Sequence, residues 1–316
     1  MARGGRYRHP VAISRIGLVL HPRRDTSAQV RTIQAWAVTT AMEVVVRAAD
    51  RDRAIDGVAV IDDDDFATTV GGIISLGGDG TMLGALRLVA HAPVPVLGVN
   101  MGNLGFLAEI GPGELPAALD RLRDDRFTIE PHSCLEIRYG DGHEAIAFND
   151  VAISRVPGAG SVLASLSVDR RRHGYYRCDA LIVATPTGST AYSYSAGGPV
   201  VSPGAKGMLV TPASPTSGIS RPLFLCAQEE LRLELLRDAG RPALEVDGTV
   251  RDHLGPGDAL EIRWRGDAGL VVRLDAEAHQ QRQRLKLSLL DLPLLPEELR
   301  ELAPPPPVAD PPTEVS

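Results

Sequence analysis

The stretch Gly77-Gly78-Asp79-Gly80-Thr81 sets a lone carboxylate among glycines, directly after the apolar run Ile73-Ile74-Ser75-Leu76. Glycines let the backbone take positive φ and approach a ligand without Cβ atoms in the way. A helix starting near Thr81 would aim its unpaired amides and positive dipole end at the same point, which makes an anion site. Asp79 projecting there could accept a proton from a substrate hydroxyl, as phosphoryl transfer requires. The same residue types would equally satisfy a tight strand-to-helix turn with Asp79 as N-cap. The spaced glycines of a dinucleotide fingerprint and the Gly-Lys-Ser/Thr of a P-loop are both missing, so the pentapeptide alone leaves the two readings open.

Other stretches carry similar chemistry. In VPVLGVNMGNLGFLAEI (94–110) a strand leads to Asn100, Gly102 and Gly105, with Phe106 and Leu107 available to wall a pocket; an ordinary strand-to-helix loop fits as well. AFNDVAISR places Asn149 beside Asp150 in an apolar run, where a polar pair is expensive unless hydrogen-bonded. Such a pair can grip a ribose diol or an adenine edge, or form a bulge or turn. RCDALIVATPTGSTAYSYSAGGPVVSP (177–203) runs from a strand into Thr185, Pro186, Thr187, Gly188, Ser189 and Thr190, opening toward Tyr192 and Ser195. Its hydroxyls suit ribose and phosphate contacts at close range, and also make turns and caps.

These residues need elements to position them. The N-terminal half alternates β-rich runs (RIGLVL, EVVVRA, GVAVI, GIISLG, VPVLGV) with helical stretches, including 26–41 and one from Thr81. That alternation predicts a parallel sheet with helices packed on it. From about Cys134 strand-like runs separated by turn residues predict a second, mainly antiparallel β domain. The fold class is therefore α/β plus all-β. We expect domains at 1–131 and 132–276, an amphipathic segment at 277–300 that packs back on the first domain, and a disordered proline-rich tail at 301–316. The acidic run Asp62 to Asp65 is expected on an exposed loop and is assigned no function.

The chain of 316 residues is 44% hydrophobic, ample for a core of two domains, and its net charge of -7 argues against nucleic acid or an anionic membrane as partner. Cys134, Cys178 and Cys226 are far apart and in neither metal nor disulfide spacing, which points to a reducing, cytoplasmic setting. The basic first ten residues lead into no signal-peptide core, and no run is long and apolar enough to span a bilayer.

Taken together, GGDGT, GVNMGNLGFL and TPTGSTAYSYSAGGPVV resemble signatures of the NAD kinase family in order and spacing, across roughly residues 16–290. The resemblance implies transfer of a terminal phosphoryl group from ATP or polyphosphate to the 2'-hydroxyl of the adenosine ribose of NAD or NADH, giving NADP(H). It implies a Rossmann-like N-terminal domain, a β-sandwich C-terminal domain, a divalent cation (magnesium or manganese) with the donor, and a homodimer or homotetramer. By this likeness Asp79 is the catalytic base, and Gly77, Gly78, Gly80 and Thr81 shape the phosphate-donor loop. Asp79 and Gly80, Asn149 and Asp150, and Thr190, Ala191, Tyr192, Ser193, Tyr194 and Ser195 contact NAD. Arg177, Asp179 and Thr249 complete the NAD set, the first two near the nicotinamide end at a subunit contact. No metal ligands are assigned.

The chain departs from the family pattern at Asp150 (usually Glu), Ala180 (Gly), Thr216 (His), Thr249 (Gln) and His132 (Arg), which implies a divergent paralogue with altered affinity, NADH preference or reduced activity. A non-catalytic NAD(P) sensor is the alternative from another class. Diacylglycerol- or sphingosine-type lipid kinases share the glycine-aspartate-glycine loop but lack the TPTGSTAY block.

Overall fold

The computed structural model describes residues 14–102, 105–275 and 279. The expected segment at 277–300 and tail at 301–316 lie outside these residues, apart from residue 279. The N-terminal strands align in the order Ala59–Ile61, Glu43–Arg47, Arg15–Leu20, Gly72–Gly77, Pro95–Asn100, each parallel to its neighbour. Arg15–Leu20 and Gly72–Gly77 are buried almost throughout, which is why they read as continuous apolar runs. The helix Ser27–Thr40 buries Val30, Ile33 and Ala37, spaced to share one face. The absence of a side chain at Gly17 matters here: a Cβ would lie 2.4 Å from Phe66 Cζ, so only glycine lets that ring seat on the strand.

The acidic run does not form a loop. Asp63, Asp64 and Asp65 are the first turn of the helix Asp63–Thr69, where the amide ends favour negative charge, and all remain exposed.

The same sheet continues into the second half of the chain. The long strand Ala259–Arg273 pairs in parallel with Pro95–Asn100 near its end, and antiparallel with Leu231–Leu235 near its start. Along most of its length it pairs with Thr128–Tyr139, with the register shifting between Arg265 and Gly269. Beyond Leu231–Leu235 come Val162–Val168, Arg171–Cys178 and Ser217–Gly218. Facing them is a six-stranded antiparallel sheet in the order Leu223–Cys226, Gly207–Ala213, Ala180–Ala184, Asp150–Ser154, Ala243–Val246, Thr249–His253. Leu135, Val151, Leu166, Val183 and Leu233 are among the residues that fill the space between. The architecture is thus a Rossmann-like layer and a β-sandwich, joined by a shared strand. Thr128–Tyr139 runs continuously across positions 131 and 132, so no linker separates the two parts there. Among the described residues no helix is long and apolar enough to cross a membrane.

At the end of the shared strand the buried Arg273 donates from Nη1 to the Leu107 carbonyl (2.9 Å) and Glu109 Oε2 (3.2 Å) and from Nε to Glu130. Burial opposes ionisation of Glu130, but the hydrogen bond to His132 and the Arg273 charge overcome it and hold this carboxyl well below its usual range. Removing the cation strands buried negative charge. Arg273→Met should cost about 3–5 kcal/mol in urea unfolding at neutral pH; a cost below about 1 kcal/mol would show that the cluster is replaceable by an apolar side chain.

Candidate active site

The strand Gly72–Gly77 ends at the carboxyl edge of the parallel sheet, and the helix Asp79–Leu88 starts at once. In open α/β sheets this edge, where the strand order reverses, is where ligands bind. The helix is capped by Gly78, without any side-chain cap bond. Asp79 is therefore not the N-cap, and its carboxylate turns to the neighbouring loop. It accepts the Phe106 amide at Oδ2 (2.7 Å) and the Leu107 amide at Oδ1 (3.0 Å). A Cβ on Gly105 would lie 2.1 Å from Asp79 Oδ1, so that glycine is what lets the carboxylate approach the loop. A Cβ at Gly78 or Gly80 would meet no atom of the described residues within 4 Å outside its own turn, so among these residues the mouth of the turn is open. At Gly77 the Thr81 hydroxyl occupies the place of a side chain, 2.1 Å from where the Cβ would be.

Residues 109 and 110 return to the strand Pro95–Asn100. The Glu109 amide bonds the Gly98 carbonyl (2.9 Å) and the Asn100 amide bonds the Ile110 carbonyl (2.8 Å). Leu107 packs into one apolar cluster with Met82, Leu83 and Leu86 of the Asp79–Leu88 helix and with Phe148. The glycine-aspartate loop and the Asn149 stretch are thereby fixed to one core.

At Phe148 and Asn149 the chain leaves the large sheet, after His143–Ala147, and enters the second at Asp150. The crossing is a change of sheet rather than a bulge. Thr185 satisfies its carbonyls: the Thr185 hydroxyl donates to the Phe148 oxygen (2.7 Å) and the Thr185 amide to the Asn149 oxygen (2.8 Å). Gly188 is tight against the same peptide, since a Cβ there would lie 2.0 Å from the Asn149 oxygen. The Asp150–Ala184 pairing puts the two polar motifs side by side.

Thr187–Thr190 forms a 3-10 turn and Tyr192–Ser195 a single helical turn. Two hydroxyls here serve the scaffold. Ser193 Oγ is buried against Thr211 Oγ1 (2.8 Å), and Ser189 Oγ accepts the Val201 amide (2.9 Å). Tyr192 and Ser195 are exposed, while Thr190, Ala191 and Tyr194 are partly so. Arg177 and Asp179 lie elsewhere, at the opposite end of Ala180–Ala184 from Thr185, about 17 Å away along five strand residues. Asp179 pairs with Arg155 (2.9 Å) and Arg177 is exposed. Thr249 is exposed, one residue past the turn Asp247-Gly248.

Two neighbours of the site are not evident in the sequence motifs. Arg24 donates to the Met101 carbonyl and covers Gly102, in the loop that precedes the Asp79 contacts. The signal was the basic pair Arg23-Arg24, separated from the first strand by His21-Pro22. The other is Asp247, whose carboxylate is fully buried and pairs with Arg87 of the Asp79–Leu88 helix. Asp-Gly reads only as a hairpin turn.

Asp150 is itself buried, and burial, then the charge of Asp247, push its carboxyl up to about 7, with a smaller push from Glu245 and an opposing hydrogen bond from the Tyr192 backbone. A carboxyl raised from 3.8 to about 7 lends stability that is complete below about 3.8 and lost as pH rises through 7. Asp150→Asn should therefore melt higher than the wild type at pH 8.5, with the gap closing by pH 4; a gap that does not change with pH would contradict this origin.

Residues 16–127 match the ATP-NAD kinase N-terminal domain and residues 148–272 the ATP-NAD kinase C-terminal domain. Among curated relatives, NAD kinase 1 of Streptomyces avermitilis is 31% identical, covering 90% of this chain and 89% of its own. The NAD kinase of Syntrophotalea carbinolica is 35% identical, covering 87% of this chain and 98% of its own. Among solved structures, yeast NADH kinase complexed with NADH superposes with a TM-score of 0.77 at 22% identity, covering 90% of each chain. An NAD kinase from Archaeoglobus fulgidus in complex with ATP gives 0.64 at 22% identity, covering 88% of this chain and 98% of that one. At that identity the structural likeness speaks for the fold alone, whereas the two domain matches and the curated relatives establish descent: the chain belongs to the NAD kinase family.

Proposed function

We propose that Asp79 is the general base of this NAD kinase, taking the proton from the 2'-hydroxyl of the adenosine ribose as that oxygen attacks the terminal phosphorus of the donor. The observation that carries the reading is the carboxylate of Asp79, released from capping and aimed by the Phe106 and Leu107 amides beside a mouth left open at Gly78 and Gly80. A base that must receive a proton from one hydroxyl needs a fixed direction, and two backbone donors supply it.

The donor, ATP or polyphosphate, lies with its phosphates over Gly77, Gly78, Gly80 and Thr81, where backbone amides at the helix start favour anions. Arg24 stands on the adjoining loop as a further cation for that end. A divalent cation bound to the donor would neutralise charge on the transferring phosphoryl group. Among the described residues no three acidic, histidine or cysteine side chains gather to hold an ion, so its ligands would come chiefly from phosphate oxygens and water. Asn149 and Asp150 hold the adenosine, with Thr190 to Ser195 along its side. Ser193 contributes there through its backbone, because its hydroxyl is engaged by Thr211.

Thr249 follows the Asp247-Gly248 turn, next to the Asn149–Asp150 peptide, whereas Arg177 and Asp179 lie at the far end of Ala180–Ala184. Arg177 and Asp179 fit the nicotinamide half of the dinucleotide, within one subunit or across a contact in a homodimer or homotetramer. A cytoplasmic location agrees with the free cysteines, two of them buried.

The sensor alternative differs in one measurable way. Purified protein with magnesium or manganese and ATP or polyphosphate should make NADP from NAD, or NADPH from NADH. Asp79→Asn should lower turnover about 100-fold or more while NAD binding by calorimetry survives. Turnover in the mutant near that of the wild type would make Asp79 structural, and binding without product in the wild type would favour the sensor.

A further inference from the structure

We propose that Asp247 is the positioning residue of the nucleotide site, holding the Asn149–Asp150 backbone in place and tying it to the helix that begins with Asp79. The proposal rests on the reading of Asn149 and Asp150 as adenosine contacts.

The argument starts from the crossing between sheets. Where the chain leaves one sheet for the other, the amides of Phe148, Asn149 and Asp150 lose their ladder partners, and buried amides need acceptors. Asp247 supplies all three. Its Oδ2 accepts the Phe148 amide (3.1 Å), and its Oδ1 accepts those of Asn149 (2.7 Å) and Asp150 (3.2 Å). Its own amide returns a bond to the Asp150 carbonyl (2.9 Å). The carboxylate is out of solvent, and Arg87 Nη1 balances it.

Position and conformation fit this work. Asp247 and Gly248 both have positive φ, 45° and 73°, in the turn that joins Ala243–Val246 to Thr249–His253. Aspartate tolerates the left-handed region better than most side chains, and there its short carboxylate reaches back across the neighbouring strand. Arg87 lies in the last turn of the Asp79–Leu88 helix. One carboxylate therefore joins the far end of the base-bearing helix to the peptide that presents Asn149 and Asp150. The two halves of the site are held in one geometry, which matters because small misplacements of reacting groups are costly.

Asp247 also contributes to the charge felt by Asp150, whose backbone it holds. The groups facing Asp150 are Asp247 and Glu245 from the adjacent hairpin and the Tyr192 backbone amide from the helical turn. Of these Asp247 contributes the largest charge effect, and the opposite charge of Arg87, paired with Asp247, would act against it. As an acceptor for ribose hydroxyls or the adenine amine, Asp150 must be ionised, so NAD affinity should fall at acid pH. Opposite changes at Asp247 and Arg87 should move that acid limb in opposite directions, which a merely structural pair would not do.

The test is NAD affinity by calorimetry and steady-state kinetics from pH 5.5 to 9, with melting curves to verify folding, for full-length wild type, Asp247→Asn, Arg87→Gln and Asp150→Asn. Asparagine suits the left-handed turn and keeps one acceptor oxygen for the Asn149 and Asp150 amides, so Asp247→Asn removes the charge together with the Phe148 and Arg87 bonds made by the other oxygen. We expect KM for NAD to rise about tenfold at pH 9 with kcat within about threefold of wild type, a loss on the scale of one charge-assisted hydrogen bond. Its acid limb should move down by about one pH unit, and that of Arg87→Gln should move up. Wild-type KM and an unmoved limb in folded Asp247→Asn, with Asp150→Asn weakened for NAD, would overturn the positioning role and leave the site reading intact. Should Asp247→Asn fail to fold, an unmoved limb in Arg87→Gln would overturn it instead. Wild-type NAD affinity in Asp150→Asn would overturn the site reading and the positioning role that rests on it.

Discussion

One strand carries hydrogen bonds for both halves of this enzyme. Ala259–Arg273 begins inside the β-sandwich, against Leu231–Leu235, and ends as the parallel neighbour of Pro95–Asn100 in the Rossmann-like sheet. The register shift between Arg265 and Gly269 marks the change between these roles, and bulges of this kind bend a strand and raise its twist. Near the shift, Gly269 lets Phe148 and Leu86 close over the strand; a Cβ would be 2.8 Å from Phe148 Cε1. At its end Arg273 reaches the Leu107 carbonyl. The residue next to the nucleotide motif and the residue that grips Asp79 thus both rest on this strand.

Much of this was legible in the sequence, for identifiable reasons. Strands covered on both faces leave long apolar runs such as Arg15–Leu20, and turn glycines such as Gly140 and Gly142 punctuate the β half. GGDGT, the Asn149-Asp150 pair and the Thr185 block stand out because polar or glycine residues interrupt apolar strands. That Asp79 turns its carboxylate away from the helix start was not legible, because this depends on the Phe106 and Leu107 amides, 27 and 28 positions away. Asp247 was hidden for a similar reason. Its local pattern is fully explained as a hairpin turn, and its partners lie 97 to 160 residues away. The acidic run misled because four like charges read as a solvated loop, whereas a helix start welcomes them.

The polar interior shows a division of labour. Thr185, Ser189 and Ser193 carry hydroxyls of the kind that bind ribose, yet all three are buried and spend them on the protein's own backbone or on Thr211. Their work is to fix the shape of the turn, and Tyr192 and Ser195 of the same stretch stay exposed.

The grip on Asp79 has a stereochemical consequence. Neighbouring hydroxyls of a ribose lie within about one hydrogen-bond length of each other, so a base must be aimed to choose between them. A mobile carboxylate would serve either. With one amide on each oxygen, the proposed base has little freedom to swing, and the site can enforce regioselectivity by aim rather than by chemical preference. The Phe106-Leu107 peptide would then be the gauge that decides which oxygen carries the phosphate.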